Sequence, residues 1–273
     1  MKIEGKTVLI TGSTDGLGRV VAERLAESGA HVLIHGRNRD RGEKLAGEIR
    51  VNGKGKATFY QTDFGALAEV QRLAAEVLRD HTRIDVLINN AGLGSGPEPT
   101  KRMVSADGFE LRFAVNHLAG FLLTYLLLPA IRKAAPARIV NISSLGQEAI
   151  DFDDVMLERA YDGGRAYRQS KLAQILFTID LAHELAGKGV TVNSLHPATF
   201  MDTNMVRQNG VKPLSTVDDG ARAVLNLVTS DALEGRSGLF FNGLEESRAN
   251  DQAYDPEARK QLRALSLQLT GLV

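Results

Sequence analysis

The sequence predicts an α/β protein: a doubly wound, seven-stranded parallel sheet with helices on both faces, built by residues 1–273 as one domain. Three observations predict it. Short runs rich in β-branched residues alternate with longer amphipathic stretches along the whole chain. The strand runs read as continuous apolar segments, as they do when a sheet is covered on both faces. A glycine-rich turn, TGSTDGLG at 11–18, joins the first strand run to the first helical one.

The elements follow in order. The strand candidates are TVLIT (7–11), HVLIHG (31–36), ATFYQT (57–62), IDVLINN (84–90), RIVNIS (138–143), VTVNSL (190–195) and GLFFN (238–242). Helical patterns lie between them at 17–28, 39–51, 66–81, 107–133, 164–187 and 216–229. Asp255-Pro256 marks the start of a last helix, an N-cap followed by proline at the first helical position, and its pattern runs to about Leu269. A strand reached through a helical crossover lies parallel to the one before it. No linker, composition break or internal repeat interrupts the series, and 273 residues are ample for one large core.

Composition narrows the function classes. Lys+Arg and Asp+Glu both total 33, so there is no basic footprint and no nucleic-acid partner is expected. The absence of cysteine excludes disulfides, thiolate metal sites and a catalytic thiol. At the N-terminus, MKIEGKTVLITG has only VLI as an apolar run, which reads as neither a signal peptide nor a membrane span. The longest apolar stretch, FLLTYLLLPAI, is read as too short to span and as a core or subunit-interface helix. A soluble, cytoplasmic protein without a membrane partner is therefore expected. No metal is expected either: His31 and His35 have a four-residue spacing but lie in a strand pattern, and DFDD (151–154) lacks the glycine of a calcium loop.

Gly12, Gly16 and Gly18 sit at the turn from the first strand into the first helix. Glycine there lets the backbone approach a pyrophosphate, and the helix N-terminus offers free N–H groups. The loop residues Gly12, Ser13, Thr14, Asp15, Gly16, Leu17 and Gly18 are thus read as dinucleotide contacts, although Asp15 places a negative charge near the phosphates. An acid at the end of the second strand would bond the ribose 2′-hydroxyl of NAD. This chain has instead Gly36, Arg37, Asn38 and Arg39. Arg37, with Asn38 beside it, is positioned to hold a 2′-phosphate, so NADP(H) is expected in preference to NAD(H).

TGSTDGLG together with NNAG (89–92), VNHLAGFLLTYLLL (115–128), RIVNISS (138–144), AYRQSKLAQ (166–174) and LHPATF (195–200) resembles the short-chain dehydrogenase/reductases, whose fold is of the Rossmann type. The resemblance runs from the first strand to the C-terminus and looks most like the branch holding retinol dehydrogenases and WW-domain oxidoreductases. It implies that Tyr167 gives or takes the proton, that Lys171 lowers its pKa and holds the nicotinamide ribose, that Ser144 bonds the substrate oxygen, and that Asn116 supports a relay water. It further implies that Asn90, Ala91 and Gly92 line the adenine side, that Asp63 bonds the adenine amino group, and that Pro197, Thr199 and Thr203 approach the nicotinamide. The chain departs from the pattern at Pro197-Ala198, where glycine usually follows proline, at Thr203, one place late, and at NHLAG in place of NHLGH.

The chemistry needs these residue types. Reduction of a carbonyl by hydride leaves an alkoxide that must be protonated. A free tyrosine ionises near pH 10, so bringing it to about 7 takes roughly 4 kcal/mol of differential stabilisation, within reach of a nearby ammonium. Tyr167 and Lys171 are four residues apart, on one face of a helix. That spacing alone is common on solvated faces; Asn116, Ser144 and the glycine loop give it meaning. The expected reaction is hydride transfer between the nicotinamide and an aldehyde, ketone or alcohol. C=C reduction on the same scaffold, or a non-catalytic NADP(H)-sensing role, are the alternatives. Residues 145–165 and 198–213 are expected over the reacting end, the second as a lid, with Phe152, Phe200, Met201 and Met205 giving the pocket an apolar part. Asp151, Asp153 and Asp154 could face pocket or water. A homo-oligomer is possible through the helices at 107–133 and 164–187.

Overall fold

In the computed structural model, which describes residues 1–52, 54–96, 98, 100–208 and 210–273, the chain turns back on itself at one strand. Strand β1 (Thr7–Ile10) pairs in parallel with β2 (His31–Gly36) on one side and β4 (Val86–Asn89) on the other. The chain first winds outward through β2 to β3 (Lys56–Gln61), then returns to β4 and winds the other way through β5 (Ala137–Ile142), β6 (Val190–His196) and β7 (Phe240–Asn242). Loops leaving β1 and β4 therefore diverge, and a crevice opens at their carboxyl ends.

The helices are α1 (Gly16–Glu27), α2 (Arg39–Asn52), α3 (Leu67–Asp80), α4 (Ala119–Lys133), α5 (Gly163–Glu184), the short α6 (Asn204–Gln208), α7 (Val217–Thr229) and α8 (Pro256–Thr270). Caps set their starts: Asp15, Asp162 and Asp255 each accept a backbone N–H, and Thr216 with Asp219 forms a capping box. Alternate strand residues feed two cores. Leu9, Leu33, Leu87, Ile139 and Val192 face the layer of α3, α4 and α5, whereas Val8, Ile34, Ile88 and Val140 face that of α1, α2 and α7.

Two expectations are corrected. Among the described residues the sheet has eight strands, not seven parallel ones: β8 (Glu245–Ser247) folds back antiparallel on β7 through Gly243-Leu244. Its sequence, EES, is an exposed polar edge and carries no apolar pattern. The apolar helix is also longer than FLLTYLLLPAI suggests. A π-helical turn, Phe113–Leu118, runs directly into α4, giving 21 continuous residues that pass for a membrane span by length and composition. Most of this helix is buried inside the protein, where α3, α5 and the sheet surround it.

Helix α8 lies across α5 and the π-helical turn. Buried Ser266 pairs with Nε2 of buried His117 at 2.8 Å, and Arg263 donates to Glu184 at 2.7 Å. Part of the helical face that the sequence leaves open for subunit contact is thus covered by the chain's own C-terminal helix.

Burial pushes His117 down to about 3, and His35 and His196 to about 4. All three are neutral when folded, whereas the unfolded chain protonates them near 6.5, so the unfolded state binds more protons below that pH. Stability should fall as pH drops from about 6.5 towards 4. Thermal unfolding at pH 7.5, 6 and 5 should show a progressive fall in Tm, shallower in His117→Gln; a flat profile would contradict this.

Candidate active site

The glycine loop is held from behind by side chains at the ends of β2 and β4. Asn90 donates through Nδ2 to the carbonyls of Thr11 (2.8 Å) and Gly12 (3.0 Å). The Thr11 hydroxyl accepts the backbone N–H groups of Asn90 and Ala91, both at 2.9 Å. From β2, Nδ1 of His35 accepts the Gly12 N–H at 3.0 Å, its ring stacked on Phe64. Ser13 exchanges hydrogen bonds with the His35 backbone, and Thr14 rests against Gly36. Space here is tight. A Cβ at Gly12, whose φ is +64°, would lie 2.8 Å from Ala91 Cα, and one at Gly18 would lie 2.5 Å from both Asn90 Nδ2 and the Gly12 carbonyl.

Asp15 caps α1 by accepting the Gly16 N–H at 2.8 Å. Its other oxygen receives Arg41 from α2 at 3.1 Å and Asn204 from α6 at 2.7 Å. The negative charge that counted against phosphate at this loop is therefore paired with a guanidinium. Beyond β2, Arg37 is exposed, and Asn38 accepts the Arg41 N–H at 2.9 Å to start α2. A cavity of about 590 Å³ opens beside them, lined by Arg37, Arg39, Gln61, Thr62, Asp63 and Arg72 among others. Among the described residues neither Arg37 nor Arg39 forms an ion pair. Asp63 accepts the Gly65 N–H at 2.9 Å and is exposed.

On the other side of the crevice, Asn116, Ser144, Tyr167 and Lys171 come together. Asn116 lies on the π-helical turn, accepts the Leu93 N–H at 2.7 Å and donates to Ser170 at 2.8 Å. Buried Lys171 donates through Nζ to the Ile142 carbonyl and to Gln174 Oε1, both at 2.9 Å. Its Nζ is 5.8 Å from the centre of the Tyr167 ring, one turn earlier on α5. Gly92 leaves room between them: a Cβ there would be 3.3 Å from Asn116 Oδ1 and 3.4 Å from Lys171 Nζ. Ser144, at the end of β5, accepts the Gly146 N–H at 3.0 Å and is the hydrogen-bond partner that favours the Tyr167 phenolate.

A family model described as short chain dehydrogenase matches residues 6–213. The chain belongs to the short-chain dehydrogenase family. It is an oxidoreductase acting on alcohol or carbonyl groups, and its relatives place it with the retinol dehydrogenase branch. Human retinol dehydrogenase 14 is 39% identical over 300 residues, covering 99% of this chain and 88% of the relative. An uncharacterised protein from Mycobacterium paratuberculosis has a solved structure that matches with a TM-score of 0.82 and 32% identity, over 99% of this chain and 95% of that one. A short chain dehydrogenase from Shigella flexneri, solved in complex with NADP, matches with a TM-score of 0.72 and 26% identity, over 89% and 99%.

In this dehydrogenase burial is the largest influence on both members of the pair. Burial pushes the Tyr167 phenol up, with Ser144 opposing in part, and burial pushes Lys171 down to about 7. For the phenol, desolvation outweighs the Ser144 hydrogen bond. After β6, Thr199 pairs with His196 at 3.1 Å, Pro197 packs near Gly220 of α7, and the Thr203 methyl lies against Gly16. Asp154 accepts the N–H groups of Glu158 and Arg159, and Asp151 that of Asp153, so these carboxylates fold their own loop. Of the four apolar residues named for the pocket, Phe200 and Met205 are exposed, whereas Phe152 and Met201 pack onto the two cores.

Sequence reasoning missed the tie from His35 to the loop, since a histidine in a strand run gives no sign of what its ring will meet. It also missed Glu110 and Arg112, buried beside the site, and half-buried Tyr161, whose residue types give no sign that they will meet. Adding a methyl at Gly18 should cost about 1–3 kcal/mol through overpacking. Gly18→Ala should therefore lower Tm and weaken nicotinamide dinucleotide binding by about tenfold or more, measured by fluorescence titration. Wild-type affinity in that variant would refute the tight-loop account.

Proposed function

We propose that this dehydrogenase transfers a hydride between NADP(H) and the carbon of an aldehyde, ketone or alcohol, with Tyr167 as the general acid in reduction and general base in oxidation. The observation that carries this reading is the convergence of Ser144, Tyr167 and Lys171 at the same sheet edge as the glycine loop. The nicotinamide, when bound, supplies or accepts the hydride.

The protein's own residues do the rest. Ser144 orients the substrate oxygen towards the Tyr167 hydroxyl, which protonates the developing alkoxide. Lys171, fixed by Ile142 and Gln174, stands ready to stabilise the phenolate when it carries its proton. Its low pKa, about 7, also lets it pass a proton onward. Asn116 holds the π-helical turn against Leu93 and Ser170 and supports a relay towards Lys171.

The cradle fits a dinucleotide. Gly12, Ser13, Thr14, Gly16, Leu17 and Gly18 present backbone at the start of α1, Asn90 and Ala91 back that loop, and Gly92 keeps the approach to Lys171 open. Arg37, exposed and unpaired among the described residues, supports a 2′-phosphate and hence NADP(H) over NAD(H), with Asn38 beside it; Asp63 fits the adenine end. Pro197, Thr199 and Thr203 fit the nicotinamide end. Exposed Phe200 and Met205, on the segment expected to cover the reacting end, support a substrate with an apolar portion, in keeping with the retinol dehydrogenases among the relatives.

The test is NADPH oxidation against a panel of carbonyl compounds. Tyr167→Phe should lower kcat by about 10²–10⁴-fold while NADPH still binds. Turnover undiminished in that variant would remove the mechanism. Arg37→Ala should weaken NADPH binding by about tenfold or more and leave NADH little changed. Tighter binding of NADH than NADPH by the wild type would refute the cofactor assignment.

A further inference from the structure

Beside the site lies a buried ion pair, Glu110–Arg112, whose residues are 1% and 5% exposed. An isolated pair of buried charges costs desolvation, so what else the two groups touch decides their worth. Arg112 uses its whole fork. Nε donates to the Gly94 carbonyl at 2.9 Å, Nη2 to the Ser95 carbonyl, and Nη1 to both Glu110 and the Tyr161 hydroxyl. Tyr161 in turn donates to Glu110 at 3.1 Å; burial and the nearby Glu110 push this phenol up to about 12, so it remains a donor. The second Glu110 oxygen accepts the Phe113 N–H at 2.7 Å, the first residue of the π-helical turn.

One guanidinium therefore joins three separate segments. Gly94 and Ser95 continue the loop from Gly92 and Leu93, and Leu93 is the backbone partner of Asn116. Phe113 begins the turn that carries Asn116. Tyr161 ends the loop that enters α5, six residues before Tyr167. Each segment delivers one member of the site. Lysine could keep the charge opposite Glu110, but not the planar fork that reaches two carbonyls and a hydroxyl together.

We propose that Arg112, supported by Glu110 and Tyr161, is a positioning residue for the reaction: it sets the Gly92 loop, the Asn116 turn and the start of the Tyr167 helix relative to one another. The proposal rests on the acid/base reading of Tyr167 and adds a residue that touches none of the reacting groups.

The test uses the full chain. Arg112→Met alone would strand a buried carboxylate, so it is combined with Glu110→Gln. The double variant should bind NADPH within about twofold of wild type. Its kcat/KM for a carbonyl substrate should fall by about 10–100-fold through misplacement of the reacting groups. Hydrogen exchange should speed up in both 93–96 and 158–165. Arg112→Lys should recover less than half of the lost activity. If the double variant does not fold, Tyr161→Phe removes a single hydroxyl and should change kcat/KM and exchange in the same direction. The proposal is overturned by kcat/KM within about threefold of wild type, by loss of NADPH affinity in proportion to activity, or by full rescue with lysine. Tyr167→Phe is assayed separately: full turnover there defeats the acid/base reading, while NADPH binding, exchange and lysine rescue still decide the role of Arg112.

Discussion

Two hydrogen bonds from one side chain hold the crevice in shape. Asn90, just past β4, donates to the carbonyls of Thr11 and Gly12, just past β1. These are the two strands between which the sheet reverses its winding. Backbone at a strand end has lost its ladder partners, and buried carbonyls without partners are costly. Asn90 supplies them and so fixes the glycine loop to the neighbouring strand. His35 does the same from the other side through the Gly12 N–H. Gly18 is the residue that lets Asn90 come so close.

The opposite wall is built by a different balance. Lys171 is buried with two oxygen partners, yet desolvation still drives its pKa down to about 7. Tyr167 is driven the other way by the same cause. Both groups are thereby held nearer their neutral forms, and of the two only Lys171 is brought close to neutral pH. Ser144 already favours the phenolate. Burial is the largest cause of both shifts, which the Tyr–Lys spacing does not reveal by itself.

Much of this architecture was legible in the chain. Continuous apolar runs and amphipathic stretches located β1 to β7 and the major helices to within a few residues, because burial on both faces leaves a strong pattern. Asp255-Pro256 located the start of α8 through capping chemistry. The polar strand β8 was missed, since an edge hairpin needs no apolar face. The π-helical turn was missed as well: one extra residue in a turn changes which side chain points where, but not the periodicity of a window around it. Asn116 could be named as a candidate; its support by Leu93 and Ser170 could not.

The sequence by itself determined the chemistry available: the three loop glycines, the Arg37 charge and the order Asn116, Ser144, Tyr167, Lys171 are properties of residue type and spacing. The tertiary structure decided the energetics. Asp15 sits in the glycine loop with its charge paired, because Arg41 arrives from another helix. Asp151 and Asp154 serve their own loop, because backbone N–H groups reach them first. Glu110 and Arg112 form a buried pair rather than a solvated one, because Tyr161, Gly94 and Ser95 close over them. In each case the deciding quantity is the solvent and partner that a charge meets, and these are fixed by segments distant in the chain.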